Sequence, residues 1–185
     1  MSNTKFWILT GMIIATAIFR LVPHPFNFTP VMAMSLFAGA KFADKKWSVI
    51  VPVSAMFISD LVLSYVNHYP LFHDTIFFVY GSVLLTIAMG WNLQSEKLNV
   101  GKTALFALLS SILFFVITNI AVWVFGGLYT SDAAGLTKCF IMAVPFFKIS
   151  LLGDVFFVTV LFGAFEFIQQ RFPEKTAELK AGSVR

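Results

Sequence analysis

Basic residues alternate with long apolar stretches along this chain, and that alternation constrains the fold more than any other feature. Six apolar stretches separate seven polar segments. The odd-numbered segments hold ten lysines and arginines, whereas the even-numbered segments hold only Lys138. The cytoplasmic loops of membrane proteins carry this excess of basic residues. The pattern therefore predicts an all-α integral membrane protein with six transmembrane helices and both termini in the cytoplasm.

Composition supports a single membrane domain. Of the 185 residues, 58% are apolar and 12% are charged, whereas soluble domains carry about 25% charged residues. We predict one transmembrane domain over residues 1–170, followed by a polar cytoplasmic tail over residues 171–185. The expected location is a bacterial cytoplasmic (inner) membrane, in contact with lipid. The basic residues border the predicted spans, where they set topology, which argues against nucleic acid as a partner.

The predicted spans cover residues 6–22, 29–42, 47–66, 72–91, 103–125 and 144–168. The second span is short, since 14 helical residues rise about 21 Å against a hydrocarbon core of ~30 Å. It is therefore tilted, extended into its loops or only partly inserted. Glycines and small polar residues predict a mobile outer loop over residues 126–137.

Most polar residues within the spans lie in the outer half under this topology. Arg20, Asp60 and Asn119 lie about 20–24 Å from the inner ends of their spans. Lys148 lies a few residues into the sixth span, which starts outside. Charged groups at membrane depth cost several kcal/mol unless they face a partner or a wet cavity. The sequence therefore predicts one outward-facing pocket lined by spans one, three, five and six.

Polar stripes on two spans support such a pocket. Asp60, Ser64 and the residues near 67–68 share one face of the third span, and Ser111, Thr118 and Asn119 share one face of the fifth. The candidate substrate-binding residues are Arg20, His24, Asp60, Ser64, His68, His73, Tyr80, Asn119, Trp123 and Lys148. The two basic side chains would meet negative groups of the ligand, the carboxylate and the amide would exchange hydrogen bonds, and the aromatic rings would stack on it.

Several of these residues have structural interpretations that the sequence leaves open. Asp60 would have a structural role if it pairs with Arg20 or Lys148. Arg20 would have no role in binding if its side chain extends to the outer lipid headgroups. His68 and His73 are a weak signal for a metal such as cobalt, so neither a metal site nor a cofactor is predicted. Asp154 is either a relay or a packing residue. The chain shows no catalytic spacing, and we do not predict an enzyme.

Gly11 and Ala15 place two small residues four positions apart on the first span. This spacing permits another helix to approach closely. The face either packs within the protein or docks on a partner membrane protein.

Four segments of the chain resemble an uncharacterised family of small six-helix bacterial proteins regarded as transporters. These segments are residues 27–42 (NFTPVMAMSLFAGAKF), 58–61 (ISDL), 117–123 (ITNIAVW) and 145–154 (PFFKISLLGD). The resemblance covers about residues 20–170. More distantly, the chain is similar to the substrate-binding S-components of energy-coupling-factor vitamin transporters, which are six-helix proteins with cytoplasmic termini.

The solitary cobalamin-specific branch of these S-components has a second-span run that ends in a Leu-Ala-Gly-like turn, echoed here at residues 37–39 (FAG). That branch uses a cysteine after span three as a cobalt ligand, for which only His73 or His68 would substitute here. The wider resemblance implies a vitamin-like ligand in an outward pocket. It also implies that span one docks on a transmembrane coupling subunit, which works with separate ATPases. Otherwise the protein would transport its ligand alone, by tilting its helices over in the membrane. The alternative is a structural scaffold of the cell-shape type, with no ligand pocket and a satisfied Asp60–Arg20 pair.

Overall fold

The computed structural model describes residues 3–95 and 98–171, which form helices and connecting loops without a β-strand. The six α-helices are α1 (Asn3–Phe19), α2 (Val31–Lys41), α3 (Lys45–Asn67), α4 (Ile76–Gly90), α5 (Val100–Phe125) and α6 (Ala133–Arg171). A short 3-10 turn (Trp91–Leu93) extends α4. The all-helical prediction is confirmed. Four helices are long and apolar enough to cross a membrane: α3, α4 with its extension, α5 and α6.

The short helix α2 lies at the centre of the bundle. All 11 of its residues are buried, and it contacts each of the other five α-helices. Eleven helical residues rise about 16 Å, roughly half of the hydrocarbon core. The second apolar stretch is therefore a core helix enclosed by its neighbours, which explains why it is shorter than a span.

A close crossing of two glycines positions α2 against α4. A Cβ atom on Gly39 would lie 2.1 Å from the carbonyl oxygen of Ile87, and one on Gly90 would lie 2.5 Å from that of Leu36. Small residues at such crossings let two helix backbones approach closely. The segment 37–39, which resembles a turn of the cobalamin-specific proteins, therefore lies inside α2 at this crossing.

A carboxylate of α6 caps the start of α2. Asp154 is 2% exposed, and it accepts hydrogen bonds from the Ser111 hydroxyl at 2.6 Å and from the backbone N–H of Ala33. Pro30, at the N-cap position, provides no side-chain hydrogen bond. The first turn of a helix has N–H groups without helical partners, and these favour a negative charge. Asp154 is therefore a capping residue, a role that the sequence left open.

The other end of α2 also meets α6. Lys41, the last residue of α2, is buried, and its Nζ lies 3.0 Å from Glu166 Oε1. The same ammonium lies 5.5 Å and 5.1 Å from the ring centroids of Phe162 and Phe165. Lys41 is one of the ten basic residues that the sequence assigns to the odd-numbered polar segments. In the structure it ends a core helix in a buried ion pair.

Two element boundaries correct the sequence predictions. α1 ends at Phe19, so Arg20 lies in the turn after the helix and not within the helix. α6 begins at Ala133 and runs for 39 residues, so the second half of the predicted loop 126–137 is wrong. Asp132 Oδ1 accepts the N–H of Gly135 at 2.7 Å and starts this helix as a cap. Residues 172–185 of the predicted tail lie outside the described residues.

Candidate functional site

Arg20 and Asp60 form a buried ion pair between the end of α1 and α3. Arg20 Nη2 lies 2.5 Å from Asp60 Oδ1, and the two side chains are 11% and 17% exposed. Arg20 Nη1 donates to the Ser59 hydroxyl and to the backbone oxygen of Met56. The Tyr80 hydroxyl donates to Asp60 Oδ2 at 2.7 Å. We call this group the Arg20 cluster, and it joins α1, α3 and α4.

The charged groups of the Arg20 cluster satisfy one another. Both carboxylate oxygens of Asp60 accept a hydrogen bond, and both terminal nitrogens of Arg20 donate at least one. Only Nε of Arg20 is buried without a partner. These contacts match the structural pairing that the sequence left open for Arg20 and Asp60. They also leave no free carboxylate oxygen in the cluster that a ligand would need to satisfy.

A cavity of about 190 Å³ lies between α5 and α6. Asn27, which is exposed in the loop between α1 and α2, forms part of its wall, so the cavity reaches the surface at that loop. Its five polar lining residues are Asn27, Ser111, Thr118, Asn119 and Ser150. Ala143 and four phenylalanines, Phe114, Phe115, Phe146 and Phe147, complete the wall. We call this space the α5–α6 cavity.

The polar stripe predicted on the fifth span lines this cavity. Ser111, Thr118 and Asn119 share one helical face because seven and eight residues correspond to about two turns. Their hydrogen-bond donors are directed into the protein. Thr118 and Asn119 donate to backbone carbonyls four residues earlier, at 2.7 Å and 2.8 Å. Ser111 donates to Asp154, so the buried carboxylate lies one hydrogen bond behind the cavity wall.

The predicted single pocket is divided in the structure. The Arg20 cluster lies among α1, α3 and α4, whereas Asn119 lies in the α5–α6 cavity, and the two sites share no lining or bonded residue among those described. The sequence predicted one pocket because these residues lie at similar depths along their spans. Depth carries no information on position around the bundle, and α2 occupies its centre.

The three histidines lie apart from both sites. The His24 ring stacks on that of Phe19, with centroids 5.8 Å apart. His68 is exposed and ends α3 with a φ of 56°, and His73 Nδ1 contacts Thr75 Oγ1 at 3.1 Å. Within residues 3–95 and 98–171, no three His, Cys, Asp or Glu side chains are grouped to hold a metal ion.

Three further predicted binding residues lie near the surface. The Ser64 hydroxyl donates to the backbone oxygen of Tyr69 at 2.7 Å, and Trp123 Nε1 donates to that of Thr130 at 2.9 Å. Lys148 is exposed on α6. Burial and the nearby Asp60 carboxylate raise the pKa of the Tyr69 phenol. Ser64, Trp123 and Lys148 are not among the residues that line the α5–α6 cavity.

A wide groove of about 800 Å³ separates the first halves of α1 and α3. Apolar side chains such as Phe6, Trp7 and Trp47 line most of it. Gly11 and Ala15 are exposed on α1, and a Cβ atom on Gly11 would meet no atom within 4 Å. Within the described part of the chain this face is therefore not an internal packing surface. Its use for docking stays a prediction.

The sequence profile of a family of unknown function, DUF6580, matches residues 1–176. The match includes all six helices, the Arg20 cluster and the α5–α6 cavity. No curated protein and no solved structure matches the chain.

Proposed function

The chain belongs to the family DUF6580, and from its geometry we propose that it binds a small water-soluble solute in the α5–α6 cavity. The observation that carries this proposal is the cavity itself. It combines five polar and four phenylalanine side chains within strongly apolar helices. Polar groups at membrane depth are costly unless they face protein or water. A polar space at that depth, reaching the surface beside Asn27, is suited to a solute that arrives from water.

The backbone leading into α2 supports a wet cavity. A Cβ atom on Gly153, midway along α6, would lie 3.3 Å from Phe28 Cα and from the backbone nitrogen of Thr29. The irregular segment before α2 therefore packs against the middle of a membrane helix. Irregular backbone at membrane depth is tolerated where it is buried in protein or lines a water-filled space. Asn27, with a φ of 64°, belongs to this segment and lines the cavity.

We propose a multi-pass topology in a bacterial cytoplasmic membrane with both termini inside. The helix ends near Lys5, Lys45, Lys46 and Lys102 then lie at the cytoplasmic face, as the excess of basic residues in inner loops requires. The loop that holds Asn27 faces outward. The chain would enter from that face as residues 20–30, and α2 would continue through the bundle to the inner side.

The size of the cavity limits the solute. About 190 Å³ is below the roughly 300–1,000 Å³ typical of sites for drug-sized ligands. A small nutrient fits this space, whereas a corrinoid such as cobalamin does not. Uptake would also need an energy source, and the exposed face of Gly11 and Ala15 is the surface that we propose for docking on a transmembrane coupling subunit.

A structural scaffold is the second candidate, and the Arg20 cluster favours it. A satisfied Arg20–Asp60 pair is what a scaffold requires, because a buried pair fixes the arrangement of helices without a ligand. The two candidates differ at the α5–α6 cavity. A scaffold gains nothing from a solute there, and filling the cavity would leave its activity intact.

One pair of variants tests the proposal. Ala143→Leu places a larger side chain on the cavity wall, and Ala164→Leu makes the same change on an exposed position of the same helix. Each protein is purified in lipid nanodiscs and its co-purified small molecules are identified by mass spectrometry. We expect a small solute with the parent protein and with Ala164→Leu, and its loss from Ala143→Leu. A solute retained equally by folded Ala143→Leu, or no solute in any of the three, would contradict the proposal.

A further inference from the structure

We propose that the solute of the α5–α6 cavity is a small organic ammonium ion, recognised by acceptor oxygens, phenylalanine rings and the carboxyl group of Asp154, whose ionised form the cation would stabilise. This inference rests on the proposed solute-binding function and names the chemical class of its ligand. It reverses the expectation from the sequence that basic side chains would meet negative groups, because Arg20 is held by Asp60 and Lys148 is exposed outside the cavity wall.

The polar wall offers acceptors more than donors. A hydroxyl has one hydrogen and two lone pairs. The Thr118 hydrogen is directed to a backbone carbonyl, and the Ser111 hydroxyl has Asp154 and the carbonyl of Ala107 as its acceptors. Asn119 uses one of its two amide N–H groups on a backbone carbonyl, which leaves the second N–H and the amide oxygen available to a ligand. These three oxygens therefore favour a ligand that donates hydrogen bonds. Asn27 and Ser150 are each able to donate or accept and suit either kind of ligand.

Aromatic rings supply the second element of recognition. Two phenylalanines of α5 and two of α6 line the cavity, and the rings of Phe115 and Phe147 lie 4.7 Å apart at 44°. The face of an aromatic ring carries negative charge density and attracts a cation, and groups of such rings bind ammonium ligands in other proteins. The same rings give no electrostatic advantage to an anion.

Charge supplies the third element. The ten lining residues include no lysine, arginine or histidine. Asp154, behind Ser111, has a hydroxyl and a backbone N–H as its partners. Two partly buried carboxylates of the described chain, Asp60 and Glu166, have basic partners at 2.5 Å and 3.0 Å. Because Asp154 is 2% exposed, water screens its attraction to a neighbouring cation only weakly. A cation in the cavity would provide the positive charge that Asp154 lacks, and would favour its ionised form.

Three ligands of matched length separate charge from size. Butylammonium, 1-butanol and butyrate are titrated against the full chain in nanodiscs of neutral lipid, at one pH and one salt concentration, by isothermal calorimetry. We expect butylammonium to bind at least tenfold more tightly than 1-butanol, and butyrate to bind more weakly than either. Neutral lipid prevents the ammonium ion from binding to the membrane surface instead of the protein.

Two variants test whether Asp154 is the source of the preference for a cation. Asp154→Asn keeps an oxygen that can accept the Ala33 N–H but removes the negative charge, and Asp74→Asn makes the same change on an exposed loop residue. We expect Asp154→Asn to weaken butylammonium at least tenfold and to leave 1-butanol within twofold, with no effect of Asp74→Asn. If Asp154→Asn does not fold, Phe147→Leu replaces it, and the same selective loss of butylammonium is expected.

The outcomes separate this inference from the function on which it rests. Equal or tighter binding of butyrate or 1-butanol, or an unchanged butylammonium affinity in the folded variants, overturns the ammonium assignment and leaves solute binding in place. Failure of all three ligands also overturns it, and loss of a co-purified solute from Ala143→Leu would then show that the cavity binds another class of compound. If Ala143→Leu also changes nothing, both proposals fail.

Discussion

Separating Arg20 from Asp60 should destabilise the protein far more than removing both charges. Asp60→Asn keeps an acceptor for the Tyr80 hydroxyl but leaves the guanidinium without a counter-charge. Breaking a buried ion pair from one side costs roughly 3–5 kcal/mol. Arg20 is 11% exposed and retains its bonds to Met56 and Ser59, so we expect the lower end, about 3 kcal/mol. At about 1.4 kcal/mol per tenfold, the ratio of folded to unfolded protein falls more than 100-fold.

The double variant Arg20→Met/Asp60→Asn tests the reasoning. It removes the unpaired charge, so its free energy of unfolding should return to within about 1 kcal/mol of the parent value. The free energy is measured by reversible unfolding in mixed micelles with increasing denaturing detergent. The single variants Arg20→Met and Asp60→Asn are measured beside it. The pair is not coupled if both lie within about 0.5 kcal/mol of the parent, or if the destabilisation of the double variant equals the sum of the two single values. If the folded double variant keeps its solute, the Arg20 cluster is structural and lies outside the binding site.

Two further predictions concern the helices around the site. Gly39→Ala should lower the free energy of unfolding by about 1–3 kcal/mol, because its Cβ would lie 2.1 Å from a carbonyl of α4, whereas Gly11→Ala should not destabilise. The hydroxyl of Thr130 and the N–H of Gly135 lower the pKa of the Asp132 carboxyl from 3.8. Its stabilisation of the start of α6 is therefore present above pH 3.8 and is lost as the pH falls through the lower folded-state pKa. Hydrogen exchange of the backbone amides of residues 133–136 should become faster as this stabilisation is lost. Asp132→Asn should remove the pH dependence, because asparagine does not titrate.

The helical class of this protein could be predicted from its sequence because long apolar runs leave few alternatives. The stripe of Ser111, Thr118 and Asn119 was also readable, since a helix places those three positions on one face. The central position of α2 was not readable. An apolar stretch has the same composition whether lipid or protein surrounds it, and the shortness of this one was interpreted as tilt, extension into its loops or partial insertion.

Long-range pairing explains the rest of the difference. Lys41 and Glu166 are separated by 125 positions in the chain, and nothing in a single sequence indicates that they meet. A charge at membrane depth predicts that a partner exists, but it does not identify the partner. Asp60 illustrates this point, because the sequence allowed a ligand, Arg20 or Lys148 as its partner, and the structure pairs it with Arg20.

The partners of three carboxylates distinguish the structural ion pairs of this protein from the binding site that we propose. Asp60 and Glu166 each meet a basic side chain and hold helices together. Asp154 caps α2 through neutral groups, so no ion pair within the described residues would balance a negative charge on it. The first turn of α2 favours a negative charge at this position, but a carboxylate at membrane depth is costly without a positive partner. On our proposal, a cation in the neighbouring cavity supplies to Asp154 the positive partner that Asp60 and Glu166 find within the protein.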